Sequence, residues 1–246
     1  MVGYVELGTD SWISNITGNI MASPQKGLLL FVYTSSLMFT LRFFAGPIVH
    51  KISPLGLLLA SAVFGAIGLY MLGGAAGVVA CVVAATIYGL GKTYFWPTML
   101  GVVSERFPKG GAITIGTVGG VGMLSAGLLG GPGIGYKQDY FASTDLRQKD
   151  TALYEEYKSE SENKFLVFPT ISGLDGVRVG EIRSKPADDR TPAETTVGES
   201  DLHGGRMALR YTAIVPATMA VFYLLLIGYF KSIGGYKPVE LDDGAD

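Results

Sequence analysis

The sequence predicts an all-α integral membrane protein of six transmembrane helices, with a polar insert between the fifth and the sixth. Three observations carry this. The apolar fraction is 48% and the mean hydropathy is +0.36. The 35 glycines lie mostly inside hydrophobic runs, as they do where small residues let membrane helices approach closely. Six runs come near the roughly 20 apolar residues that a helix needs to cross a bilayer.

The first span, residues 2–21, is the most polar, carrying Glu6, Asp10, Asn15 and Asn19. The second, 27–49, is apolar except for Arg42, and the third, 55–72, has no charge. The fourth, 78–103, holds Lys92 near its middle. The fifth, 112–134, is uncharged and glycine-rich; the sixth, 207–230, has only Arg210 near its start. Ser23-Pro24, Ser53-Pro54, Gly73-Gly74 and Pro108 with Gly110-Gly111 punctuate them. The domains so expected are 1–135 for the first five spans, 136–205 for the insert, 206–232 for the sixth span and 233–246 for a short acidic tail. Within the insert, 144–157 reads as an amphipathic helix capped by Thr144, with Leu146, Leu153, Tyr154 and Tyr157 on one face. Residues 188–200 read as disordered.

Short loops after the second and fourth spans carry Lys51, Arg106 and Lys109, and the exit of the sixth carries Lys231 and Lys237. The loops after the first and third carry only Lys26. Positive residues stay inside, so both termini are expected in the cytoplasm and the insert outside, in a plasma (inner) membrane. The N-terminus lacks the basic flank and cleavage site of a signal peptide. A formal charge of −2 gives no basic surface for nucleic acid, and one cysteine, Cys81, permits no intrachain disulfide.

An ionisable group at mid-membrane costs several kcal/mol unless it is paired or wetted, so such groups mark functional cavities. Glu6 and Asp10 are four residues apart and share a helix face with Thr9; Tyr88, Lys92 and Trp96 share a face of the fourth span. With Arg42, two acids and two bases on three helices are expected to neutralise one another around a wet cavity. Pro97 follows Trp96, frees the carbonyl near Thr93 and bends the fourth span. In the fifth span Gly116, Gly120, Gly127 and Gly131 form a small-residue stripe for helix packing. Gly91-Lys92-Thr93 lacks the first glycine and the strand of a phosphate loop. His50 and His203 stand apart from each other and from cysteine, so no metal site, cofactor or catalytic constellation is expected.

Gly46 to Lys51, preceded by Arg42, and Glu105-Arg106-Phe107-Pro108 after the fourth span resemble the C-terminal half of a major facilitator superfamily transporter. The first of these resembles the second copy of that family's Gly-x-x-x-Asp-Arg/Lys signature, with His50 in place of the acid. The resemblance implies half of a twelve-helix fold, with the first and fourth spans lining a central cavity. The second and fifth would border the other half, and the third and sixth would face lipid. It implies a gating loop of Gly46, His50, Lys51 and Arg106, and a substrate or coupling site of Glu6, Asp10, Arg42, Tyr88, Lys92 and Trp96. The partners implied are a small-molecule substrate, the lipid bilayer, and a missing N-terminal half or a second six-helix chain; a first span starting almost at Met1 favours truncation. The expected function is secondary, proton- or ion-coupled transport of a small polar solute such as a sugar. An organic-anion transporter of the same fold is the near variant, and a membrane-anchored binding or structural protein acting through its insert is the alternative of another class.

Overall fold

The computed structural model describes residues 1–240. The chain is a membrane-associated all-α protein apart from one small hairpin. Four helices are long and apolar enough to cross a membrane: Pro54–Gly74, Gly77–Arg106, Pro108–Lys149 and Pro192–Ser232. These correspond to the third, fourth, fifth and sixth expected spans.

The first expected span is a five-residue π-turn, Tyr4–Gly8, followed by α1 (Asp10–Ile20). The second is two pieces, α2 (Pro24–Arg42) and α3 (Ala45–Ile52). Neither belongs to the four long apolar helices. Then come α4 (Pro54–Gly74), α5 (Gly77–Lys92), α6 (Phe95–Arg106) and α7 (Gly111–Ser125). A second π-turn, Ala126–Gly130, leads into α8 (Gly131–Lys149). After the insert, α11 (Pro192–Thr212) and α12 (Ile214–Ser232) complete the bundle.

Prolines explain the interruptions. A helical proline removes the bond to the carbonyl four residues earlier and crowds it. Pro47 does this to Phe43, where α2 gives way to α3. Pro97 does it to Thr93, between α5 and α6. Pro132 strikes Leu128, inside the second π-turn, and Pro216 strikes Thr212, where α11 passes to α12. Starts are equally local. Ser23 and Ser53 accept from the Lys26 and Gly56 amides, and each is followed by a proline at the first helical position.

Helices meet where glycines meet. A Cβ on Gly27 would lie 2.7 Å from Gly18 Cα, one on Gly91 2.3 Å from the Gly65 nitrogen, and one on Gly8 2.7 Å from Gly130 Cα. The main apolar core lies between these crossings and includes Val5, Ile16, Leu58, Leu69, Leu72, Tyr88, Phe95, Ile134 and Leu209.

The insert is folded, which corrects two expectations. Residues 188–200 are not disordered: α11 begins at Pro192 with Thr191 and Glu194 forming a reciprocal capping box. The 144–157 stretch is not one helix either. Helix α8 runs through Thr144 to Lys149, and Asp150, not Thr144, caps α9 (Thr151–Tyr157) by accepting from Leu153. Strands β1 (Lys158–Asn163) and β2 (Ile171–Leu174) pair antiparallel, and α10 (Gly176–Ser184) follows. Leu146, Tyr154, Val179, Ile182 and Val197 form a separate small core. Of the tail, 235–240 is described and 241–246 lies outside the described residues.

Candidate functional site: a charged cluster at a broken helix

The site is built on the gap between α5 and α6. Thr93 and Tyr94 leave the helical ladder there, so the end of α5 has a spare carbonyl and the start of α6 has spare amides. Both are answered by charge. Arg42 donates its Nε to the Thr93 carbonyl at 3.2 Å. The Trp96 amide donates to Glu6 Oε2 at 2.9 Å. A cation thus sits at a helix C-terminus and an anion at a helix N-terminus, the two placements that the helix dipole favours.

The same groups then pair with each other. Arg42 Nη2 donates to Glu6 Oε1 at 2.8 Å, and Lys92 Nζ donates to Asp10 Oδ1. Glu6 is 2% and Lys92 1% exposed, so these charges have exchanged water for each other and for backbone. Buried charge is tolerable only when paired and hydrogen-bonded in this way. Tyr88 packs below: its ring lies 5.5 Å from Lys92 Nζ, and its hydroxyl donates to the Val5 carbonyl at 2.7 Å and meets the Thr9 hydroxyl. The π-turn at Tyr4–Gly8 places Glu6 one turn from Asp10 while both still face α5 and α6.

All six residues expected at the substrate or coupling site are therefore neighbours, with two corrections. The charges touch directly; a cavity of about 600 Å³ lies elsewhere, between α4 and α12, and one of about 590 Å³ lies between α8, residues 165–169 and the start of α12. The indole of Trp96 does not face Lys92. It lies against Gly122 of α7, where an added Cβ would come within 2.8 Å of it, and only the Trp96 amide joins the cluster.

The gating loop is also different. Gly46 and Lys51 lie in α3, a helix and not a loop, with nothing within 4 Å of a Cβ at Gly46. His50 is in the same helix, and its side chain lies outside the described residues. Arg106 does not reach α3: it donates to the Lys237 carbonyl at 2.7 Å and stacks on Phe230, 5.0 Å from the ring centroid. Beside it, Glu105 accepts from Tyr236 at 2.6 Å, so this pair clamps the chain after α12 to the end of α6.

The glycine stripe of the fifth span is displaced. Gly116, Gly120 and Gly127 have nothing within 4 Å, and Gly131 only reaches contact distance of Trp12 and Ser11. The glycines in close contact are Gly122 and Gly130, against Gly3 and Gly8 of the first span. Gly116 and Gly120 lie on the outer side of α7, and the π-turn that follows adds a residue to the repeat before Gly131.

Sequence reasoning missed a further polar contact. Lys137 Nζ donates to the Tyr4 hydroxyl at 2.8 Å and to Thr212 Oγ1 at 3.1 Å, tying α8 to the first span and to α11. No signal short of a contact map singles out Lys137, since it stands among the polar residues of the insert.

Comparison with known proteins gives no assignment. No family model, no curated protein and no solved structure matches the chain. The chemical reading therefore rests on the geometry. It offers two carboxylates and two cations paired at a helix break, and no metal-ligating cluster among the described residues.

Proposed function

We propose that the chain is the C-terminal six-helix half of a major-facilitator-type secondary transporter, moving a small polar solute such as a sugar with proton or ion coupling. The observation that carries the reading is the double ion pair at the α5–α6 break. Transporters place their sites near the midplane at discontinuous helices, whose free ends bind ions and substrate. Here those ends are occupied by Glu6 and Arg42, and Lys92 is held by Asp10. Protonation of Asp10 or Glu6 would release the matching cation, and a substrate hydroxyl or carboxylate would take the vacated place. That exchange links proton binding to substrate binding by a single partner swap. The outward glycines of α7 fit a seam with the other half, completed by an N-terminal half or a second six-helix chain, in a plasma (inner) membrane with cytoplasmic termini.

The test is uptake of labelled sugars into proteoliposomes holding the chain with its complementary half, under an inward proton gradient. Lys92→Ala and Asp10→Asn should each abolish coupled uptake. Unchanged uptake in Lys92→Ala would remove the cluster from the site. Preference for organic anions over sugars would select the variant in which Lys92 and Arg42 hold the substrate directly.

The separate core of the insert favours a second reading, a membrane-anchored binding protein acting through that domain. Replacing 150–191 by a short linker between α8 and α11 separates the two, because transport should survive this deletion and insert-mediated binding should not.

A further inference from the structure

Arg210 is the one span charge that the cluster does not use. It lies at the outer end of α4, where the two glycines before the α5 turn make room for it. A Cβ on Gly73 would lie 2.7 Å from Arg210 Cγ, and one on Gly74 2.8 Å from Nη2. The guanidinium is stacked over Tyr70, 5.4 Å from the ring centroid. Its Nε is buried and has no acceptor among the described residues. One turn outward, Arg206 donates Nη2 to the Ala75 carbonyl at 3.1 Å but leaves its own buried Nε equally without an acceptor. A buried donor of a charged group that lacks a partner is costly, so Arg210 favours an acceptor beside its guanidinium.

Below Arg210 an apolar groove of about 600 Å³ runs between α4 and α12, walled by Ile67, Met71, Ile214 and Ala217. Both walls belong to helices long and apolar enough to span a membrane. Tyr70 and Ile214 are 59% and 57% exposed, so the groove opens sideways, onto the hydrocarbon, and not towards the chain's own core. The combination is directional: a planar cation at the helix ends, where headgroups lie, above an apolar trough. Arginine suits phosphate because its fork donates two parallel bonds, and it stacks on aromatic faces as it does here.

We propose that the α4–α12 groove is a phospholipid site, with the lipid phosphate on Arg210 and one acyl chain along Ile67, Met71, Ile214 and Ala217. The proposal depends on the membrane placement of α4 and α12 and not on transport.

The full chain, purified in detergent, is titrated with dioctanoyl-phosphatidylglycerol and read by native mass spectrometry. Parallel titrations use dioctanoylglycerol, which lacks the phosphate, and inorganic phosphate, which lacks the chains. One phosphatidylglycerol should be retained. Arg210→Gln should weaken it about tenfold, the scale of one charge-assisted bond. Ala217→Phe, at an exposed position, should weaken it similarly by filling the trough, and it carries the test if the arginine variant does not fold. Phe222→Ala, also exposed on α12, should change nothing. Equal retention in Arg210→Gln or Ala217→Phe overturns the site. So does binding of dioctanoylglycerol or inorganic phosphate as tight as the phospholipid, or a second copy of the chain held on this face in place of lipid.

Discussion

Lys92 and Asp10 show why a buried pair must be tested from both ends. Removing one partner strands the other charge in a low dielectric, which costs about 3–5 kcal/mol; replacing both with apolar groups is often neutral. Lys92→Met should therefore destabilise the detergent-solubilised chain by about that amount in denaturant unfolding. Adding Asp10→Leu should recover most of the loss without restoring uptake. If the single and double variants are equally unstable, the pair is not what makes Lys92 tolerable. Arg42 is a weaker lever, because its side chain is 40% exposed and its bond to Glu6 is screened accordingly. That these four charges would meet was legible in the sequence, since membrane depth leaves an ion few other choices. The pairing of Asp10 with Lys92 and of Glu6 with Arg42 was not, and neither was the second duty of Glu6 on the Trp96 amide. Both depend on the gap after Lys92, whose shape is set in three dimensions.

At the scale of elements, two glycines of the same expected span have opposite roles. Gly130 touches Gly8 backbone to backbone, whereas Gly120 faces open space. Gly130→Ala should cost about 1–3 kcal/mol by overpacking. Gly120→Ala should be neutral or stabilise by up to about 1 kcal/mol, since alanine restricts the unfolded chain and meets nothing. Comparative unfolding of the two variants checks the assignment, and the reverse order would restore the original stripe. The insert offers a second test. Thr191→Ala removes the cap of α11 and should cost about 1 kcal/mol. The partner carboxyl of Glu194 is held below its ordinary range first by Lys185 and then by the Thr191 amide. Its folded value is depressed, so its stabilising effect is present above about pH 4 and is lost as pH falls through that folded value. Protection of the first α11 amides against hydrogen exchange should fall below that range in the native chain and show less pH dependence in Glu194→Gln. Composition hid this helix. Its first half is mostly polar or small, and of its buried positions Val197, Ser200, Asp201, Gly204, Gly205, Ala208, Leu209 and Thr212 only Val197, Ala208 and Leu209 read as apolar. The four long spans were legible because hydropathy is a sum over many residues; the second π-turn and the break before α3 were not, because each follows from one proline in context.

For the whole molecule, the arrangement of loops makes a topological prediction. Cysteine placed at Ser161 in β1 should react with an impermeant maleimide added outside intact cells. Cysteine at Lys109, between α6 and α7, should react only after permeabilisation. Native Cys81 is buried and should remain silent. Equal labelling of both sites would invert or abolish the orientation read from the basic loops. Helix α7 contributes no residue to the core, and Ile113, Val121, Met123 and Leu124 all face outward. The side that carries Gly116 and Gly120 is thus available to a neighbour without any rearrangement of the bundle.

Helix Pro108–Lys149 crosses the bundle and continues into the insert without a terminating turn. The portion beyond Ile134 extends about 20 Å at 1.5 Å per residue. Geometrically this is a pointer fixed to the fifth span. A tilt of about ten degrees in that span would swing the far end by roughly 3–4 Å, a displacement that distance spectroscopy resolves between labels on the insert and on α12. A small tilt of that span would thereby be magnified at the insert.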